Sequence, residues 1–209
     1  GEVISWDASG NPVAIGAGTS GHFLKSQGAG SQPVFAAASS GLNLLLTTTV
    51  SGTSTGVITF GSSYITATYN TYLIVGTLKG ISDATMHLRF QTSGSDVTTA
   101  DYYGWDKFQL YNSATEDASD GQIDIGPQDY GNQSAEGGSI NCWLYHPMDA
   151  AITTAVTGAS STHGTSGTHL GGVFSGIAYT AEANNGISFY PSTGNFAANS
   201  ELSIYGLSK

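Results

Sequence analysis

Apolar and polar residues alternate with a period of two in several short stretches of this chain. Met86, Leu88 and Phe90 alternate with His87, Arg89 and Gln91, and Ile140, Cys142 and Leu144 alternate with Asn141, Trp143 and Tyr145. That period belongs to a strand with one face buried. Thr71 to Leu78 is dense in β-branched and aromatic residues, and Val57 to Phe60, Val173 to Tyr179, Ile187 to Tyr190 and Leu202 to Leu207 resemble it. All predict strands. Ala150 to Val156 comes nearest to a helical pattern, but its Thr, Ile and Val content favours a strand there too. Asn185-Gly186 and Asp120-Gly121 read as hairpin-type turns. Short strands between frequent turns predict an all-β protein, an antiparallel sandwich of jelly-roll type.

The first 37 residues have a different texture. Val3 to Trp6, Val13 to Ile15 and Phe23 to Ser26 are strand-like pieces separated by Gly-rich turns, each too short to carry its own core. Such pieces are stable only when packed against copies of themselves or wound with neighbouring chains. The pattern therefore divides the chain into a shaft-like segment, 1–37, and a sandwich domain, 38–209.

Composition narrows the function classes. Charged residues make up 10% of the 209, well below the roughly 25% usual in soluble domains. The chain holds 29 Gly and 11 Tyr, and 39% of it is hydrophobic, enough to fill a core. Net charge is −10 with five Lys and Arg in all, so no basic surface can track a nucleic acid. The longest apolar run, Leu42 to Leu46, is interrupted by Asn43 and far too short for membrane insertion as a helix. Cys142 is alone, so it has no internal disulfide partner; its alternating apolar surroundings fit a core thiol. The chain opens on Gly, which carries the expectation of a piece of something longer.

Two motif matches fail on their surroundings. Gly16-x-Gly18-x-x-Gly21 matches a dinucleotide-binding fingerprint, but Gly28 follows within seven residues and no acid occurs between Asp7 and Asp83. Gly52-x-Ser54-x-Gly56 matches a nucleophile elbow, yet the next residues read as a strand where an elbow needs a helix. No cofactor is expected.

Three clusters carry candidate chemistry. Asp101, Tyr102, Tyr103, Trp105 and Asp106 combine flat aromatic faces with carboxylates, the groups that hold sugar rings and their hydroxyls, and Asp129 with Tyr130 is a weaker version. Ordinary strand or interface packing explains the same residues. His163 and His169 close one Gly/Ser-rich loop and could grip a transition metal, or merely sit in a solvated loop. Glu116, Asp117, Asp120 and Asp124 gather four carboxylates in nine residues without the ordered alternation of a calcium loop.

The order of several short motifs resembles phage tail-fibre and head-fibre ends. The opening Gly1-Glu2-Val3-Ile4-Ser5-Trp6, then Gly18-Thr19-Ser20-Gly21-His22-Phe23-Leu24-Lys25-Ser26 and Pro33-Val34-Phe35, is similar to the Gly-rich stalk motif of such fibres. Tyr69-Asn70-Thr71-Tyr72, Met86-His87-Leu88-Arg89-Phe90, and Ser192-Thr193-Gly194-Asn195-Phe196 before Leu202 to Leu207 resemble strands of their heads. The resemblance implies a homotrimeric virion protein with a receptor-binding head. Its partners would be its own copies, other virion proteins, and a bacterial surface glycan or outer-membrane component. No catalytic residue carries over, so it implies binding without chemistry. The rivals are a capsid decoration protein and a polysaccharide depolymerase. Asp101 to Gly138 and Gly158 to His169 have no counterpart in the family pattern, which places specificity there.

Overall fold

The computed structural model describes residues 1–37, 41–98, 102–108, 118–125, 130, 136–164, 168–178 and 180–208. Among them every regular element is a strand, paired antiparallel, and none is a helix. The chain divides into two compact units, Gly1–Gly41 and Leu42–Lys209.

The first unit is two hairpins. Strand β1 (Val3–Trp6) pairs with β2 (Pro12–Ile15), and β3 (His22–Lys25) pairs with β4 (Val34–Ala37). The β1–β2 turn is built on Asp7, whose Oδ1 accepts the backbone N–H groups of Ser9 and Asn11, both at 2.8 Å. Hydrogen bonds from the backbone and then the side chain of Asn11 hold this carboxyl below its ordinary range. Gly16 to Gly21 leads into a strand, and a Cβ at Gly18 would enter the Phe35 ring, so close packing accounts for that glycine. Two-stranded pieces bury little: Ile4 and Trp6 are 66% and 63% exposed.

The second unit holds β5 (Leu42–Thr49), β6 (Ile58–Phe60), β7 (Thr71–Leu78), β8 (Met86–Thr92), β9 (Ser95–Asp96), β10 (Tyr102–Phe108), β11 (Ala118–Asp120), β12 (Ile123–Asp124), β13 (Gly137–Tyr145), β14 (Ala155–Gly164), β15 (Thr168–Ala178), β16 (Gly186–Pro191) and β17 (Glu201–Leu207). Eight of them form one sheet in the order β11-β10-β15-β14-β13-β7-β17-β5. A smaller sheet runs β12-β8-β16-β6, with β9 on β8. The inner faces share one core. Ile74, Cys142, Leu144, Val156, Phe174 and Ile204 come from the large sheet, and Phe60, Leu88, Phe90 and Phe189 from the small one. Burying such a side chain stabilises by about 1.5–3 kcal/mol. Cys142 is fully buried, as its pattern predicts.

Several local expectations are corrected. Asp120-Gly121 is not a hairpin turn, because β11 pairs with β10 and β12 with β8, so the chain crosses between sheets there. Nor is Asn185-Gly186: β16 pairs with β8 and β6. The asparagine side chains are spent elsewhere, Asn184 donating to Thr154 Oγ1 at 2.9 Å and Asn185 Oδ1 accepting from the Gly94 backbone. A Cβ at Gly186 would press on the Gln91 side chain, which Asp96 holds in place. Within Ala150 to Val156 the strand starts only at Ala155, because Asp149 accepts the N–H groups of Ala151 and Ile152 in a turn. β14 and β15 also extend through most of what reads as a loop between Gly158 and His169.

Two buried tyrosines give a contrasting pair of expectations. The Tyr72 hydroxyl donates to the Thr66 carbonyl at 2.7 Å and accepts its N–H at 2.8 Å. The Tyr130 and Ser160 hydroxyls are buried without a hydrogen-bond partner among the described residues. Tyr72→Phe is therefore expected to cost about 1–3 kcal/mol in urea unfolding, while Tyr130→Phe leaves stability level or raises it by up to about 1 kcal/mol. A Tyr130→Phe loss as large as that of Tyr72→Phe would refute the assignment.

Candidate functional site

The described surface holds a cleft of about 680 Å³ at one end of the large sheet. That volume lies within the range of small-ligand sites. Its walls come from the end of β7 with Lys79, the start of β13 with Glu136, the end of β14, and the turn before β17. Local sequence explains the opening. Gly137 has a φ of 146°, and a side chain at Gly138 would strike the Ser161 carbonyl and the Tyr130 ring. The two glycines thus keep the β13 edge of the cleft bare. On the opposite wall Asn199 adopts a φ of 67°. Ser200 Oγ there accepts the Lys79 N–H at 3.0 Å and donates to the Lys79 carbonyl at 3.2 Å. Ser139 and Ser161 hydroxyls meet at 2.8 Å across β13 and β14.

The lining is rich in hydroxyls, with Thr77, Ser139, Ser161, Thr162 and Ser200, plus the Asn199 amide. Lys79, Glu136 and His163 supply one cation, one carboxylate and one imidazole. Such a set can hydrogen-bond a polyhydroxylated ligand from several directions. His163, singled out from the sequence, is part of this cleft. It lies directly opposite His169 in the β14–β15 ladder, so the two histidines stand on paired strands, where the sequence reads a loop. Among the described residues no group of three or more His, Cys, Asp or Glu is placed to hold a metal ion.

The aromatic cluster divides. Tyr102, Tyr103, Trp105 and Asp106 all lie on β10, a strand rather than a loop, with Tyr103 opposite Ile177, Trp105 opposite Ser175 and Asp106 opposite Phe174. Tyr130 is wholly buried and packs in the core, so it is removed from any contact surface. Burial pushes its phenol up to about 12. Asp101, Asp129, Glu116 and Asp117 lie outside the described residues.

A polar network on the small sheet was not legible in the sequence. His87 Nδ1 and Asp124 Oδ1 are 2.5 Å apart. The Arg89 guanidinium donates to the Gly121 carbonyl at 2.8 Å and lies 4.6 Å from the centre of the Tyr190 ring. The Tyr190 hydroxyl donates to Gln122 Oε1 at 2.7 Å, and Asp96 accepts from Gln91 at 2.8 Å and Ser188 at 2.7 Å. His87 and Gln91, expected on an open face, are consequently 6% and 8% exposed. Their partners bind β9 and β12 to the sheet, which makes the cluster a fastening for chain segments rather than an open site.

No protein-family model matches the chain, and neither a curated protein nor a solved structure does.

Proposed function

We propose that the chain is the C-terminal part of a phage fibre, a homotrimer in the virion whose jelly-roll-like head attaches to a bacterial surface glycan or protein without breaking bonds. One observation carries the reading. The first unit is two hairpins that leave Val3, Ile4, Trp6, Phe23, Leu24 and Val34 exposed. Isolated two-stranded pieces of this kind are marginal in water. Other copies winding around the same axis would cover these side chains and turn the segment into a shaft. The hydroxyl-lined cleft beside His163 fits the receptor contact, because a polyhydroxylated ligand satisfies its many donors and acceptors. Three copies of a weak site give useful avidity.

Light scattering on the purified protein should give the mass of three chains. The protein should bind cells, and extracted surface polysaccharide, from some strains of a bacterial panel. Lys79→Ala should weaken that binding with the fold intact. A single-chain mass would sink the fibre reading, absence of binding would favour a decoration role, and release of free sugar would favour a depolymerase.

A further inference from the structure

The outer face of the large sheet carries an apolar band that the core does not use. Cross-strand register places Leu44, Tyr205, Leu73, Trp143, Thr157 and Ser175 in one row over β5, β17, β7, β13, β14 and β15. The rows beside it add Val75, Val173 and Ile177. Leu44 is 57% exposed, Val173 49% and Ile177 37%. An antiparallel sheet facing water normally turns polar and charged residues outward. These six strands hold one residue of the Asp, Glu, Lys and Arg types among them, Glu201, near the margin of the face.

We propose that this face is where second units of neighbouring copies of the chain meet, an interface separate from the hairpins of the first unit. The inference rests on the reading that copies associate. Three observations select a second copy as the occupant. Copies with a net charge of −10 repel one another, and this face lets them approach without bringing like charges together. Six strands at about 4.8 Å spacing and some seven residues of length together present about 700 Å² on each copy, close to the roughly 800 Å² per partner of a stable interface. The band also continues onto β5 at the sheet edge, where Leu42 and Leu44 stand with neither a charge nor a proline to guard it. Its exposed Leu, Val and Ile offer nothing to a sugar hydroxyl, and its two rings, Trp143 and Tyr205, are only partly exposed, so the glycan reading stays with the cleft. The hydroxyls of Thr157 and Ser203 are both donors and acceptors, which suits a surface meeting copies of itself.

The test is the concentration dependence of mass for the full chain carrying Val173→Glu or Thr157→Glu. Both positions are exposed, so each variant should keep the wild-type circular dichroism. Each is expected to raise the concentration at half-dissociation by about a hundredfold or more, the effect of like charges facing each other across an interface. Thr59→Glu, exposed on the small sheet, should leave it unchanged. Wild-type mass in both face variants would overturn this interface and leave the fibre reading standing. Wild-type protein of single-chain mass at every concentration would overturn both. Face variants that keep their mass but lose binding to bacterial polysaccharide would make the band a sugar platform and overturn the inference.

Discussion

Raising the pH from 9 to 12 is expected to remove about 3 kcal/mol of stability through Cys142 and roughly 2 kcal/mol more through Tyr130. The cause is burial. Cys142 lies between the two sheets, where the thiolate has no water and no cation to stabilise it, and its pKa is pushed from 9.0 up to about 12. Tyr130 is pushed from 10.0 up to about 12 in the same way. In the unfolded chain both groups release their protons near their ordinary values. Above pH 9 the unfolded state therefore binds fewer protons than the folded one, and stability falls as pH rises until the folded groups titrate as well. Urea titrations at stepped pH would read this as a fall in ΔG. Cys142→Ala should remove the part that begins at pH 9 and leave the part that begins near pH 10. An unchanged alkaline slope in Cys142→Ala would refute the account.

Gly76→Ala should be the most damaging single-methyl change in the sheet. Gly76 stands in the middle of β7 opposite Leu202 of β17, and a Cβ there would land on the carbonyl oxygen of Glu201. That atom belongs to the backbone of a strand paired on both sides, so it cannot swing away as a side chain would. The loss is expected to be about 3 kcal/mol or more, a Tm drop of about 6–12 °C in a unit of this size. Gly61→Ala meets nothing within 4 Å and should stay within about 1 kcal/mol of wild type. Equal melting temperatures for the two variants would show that the β7–β17 ladder yields more readily than its geometry indicates.

Strands were legible where burial follows a simple period. Thr71–Leu78 matches its apolar pattern end to end, and Ile140, Cys142 and Leu144 face the core as their alternation predicts. The pattern misleads where side chains far along the chain cover a polar face. His87 and Gln91 alternate as solvent residues should, but Asp124 and Asp96 close over them, and no local window contains both partners. Turn signals fail for a related reason. Asp120-Gly121 has the chemistry of a hairpin, yet which sheet the next strand joins is decided by tertiary pairing. The candidate site was half visible. His163 was noticed as a potential ligand, but Lys79, Ser139 and Ser200 gather around it from positions up to 121 residues apart, and only the fold unites them. Tyr130 shows the converse error. An aromatic beside the acid Asp129 reads as a contact residue, but the small residue Gly138 leaves a hollow that its ring fills.

The position of β17 bears on how the protein is made. It follows every other described strand in the chain, yet it lies inside the large sheet, with β7 on one side and β5 on the other. While the ribosome is still translating, β5 and β7 have emerged, but the strand that joins them has not. Both keep open edges until residues 201–207 arrive, and pairing between them then closes loops of more than a hundred residues. Commitment to the fold is thus deferred to the end of synthesis of this region, and a chain interrupted before β17 would carry exposed edges that chaperones and proteases can recognise.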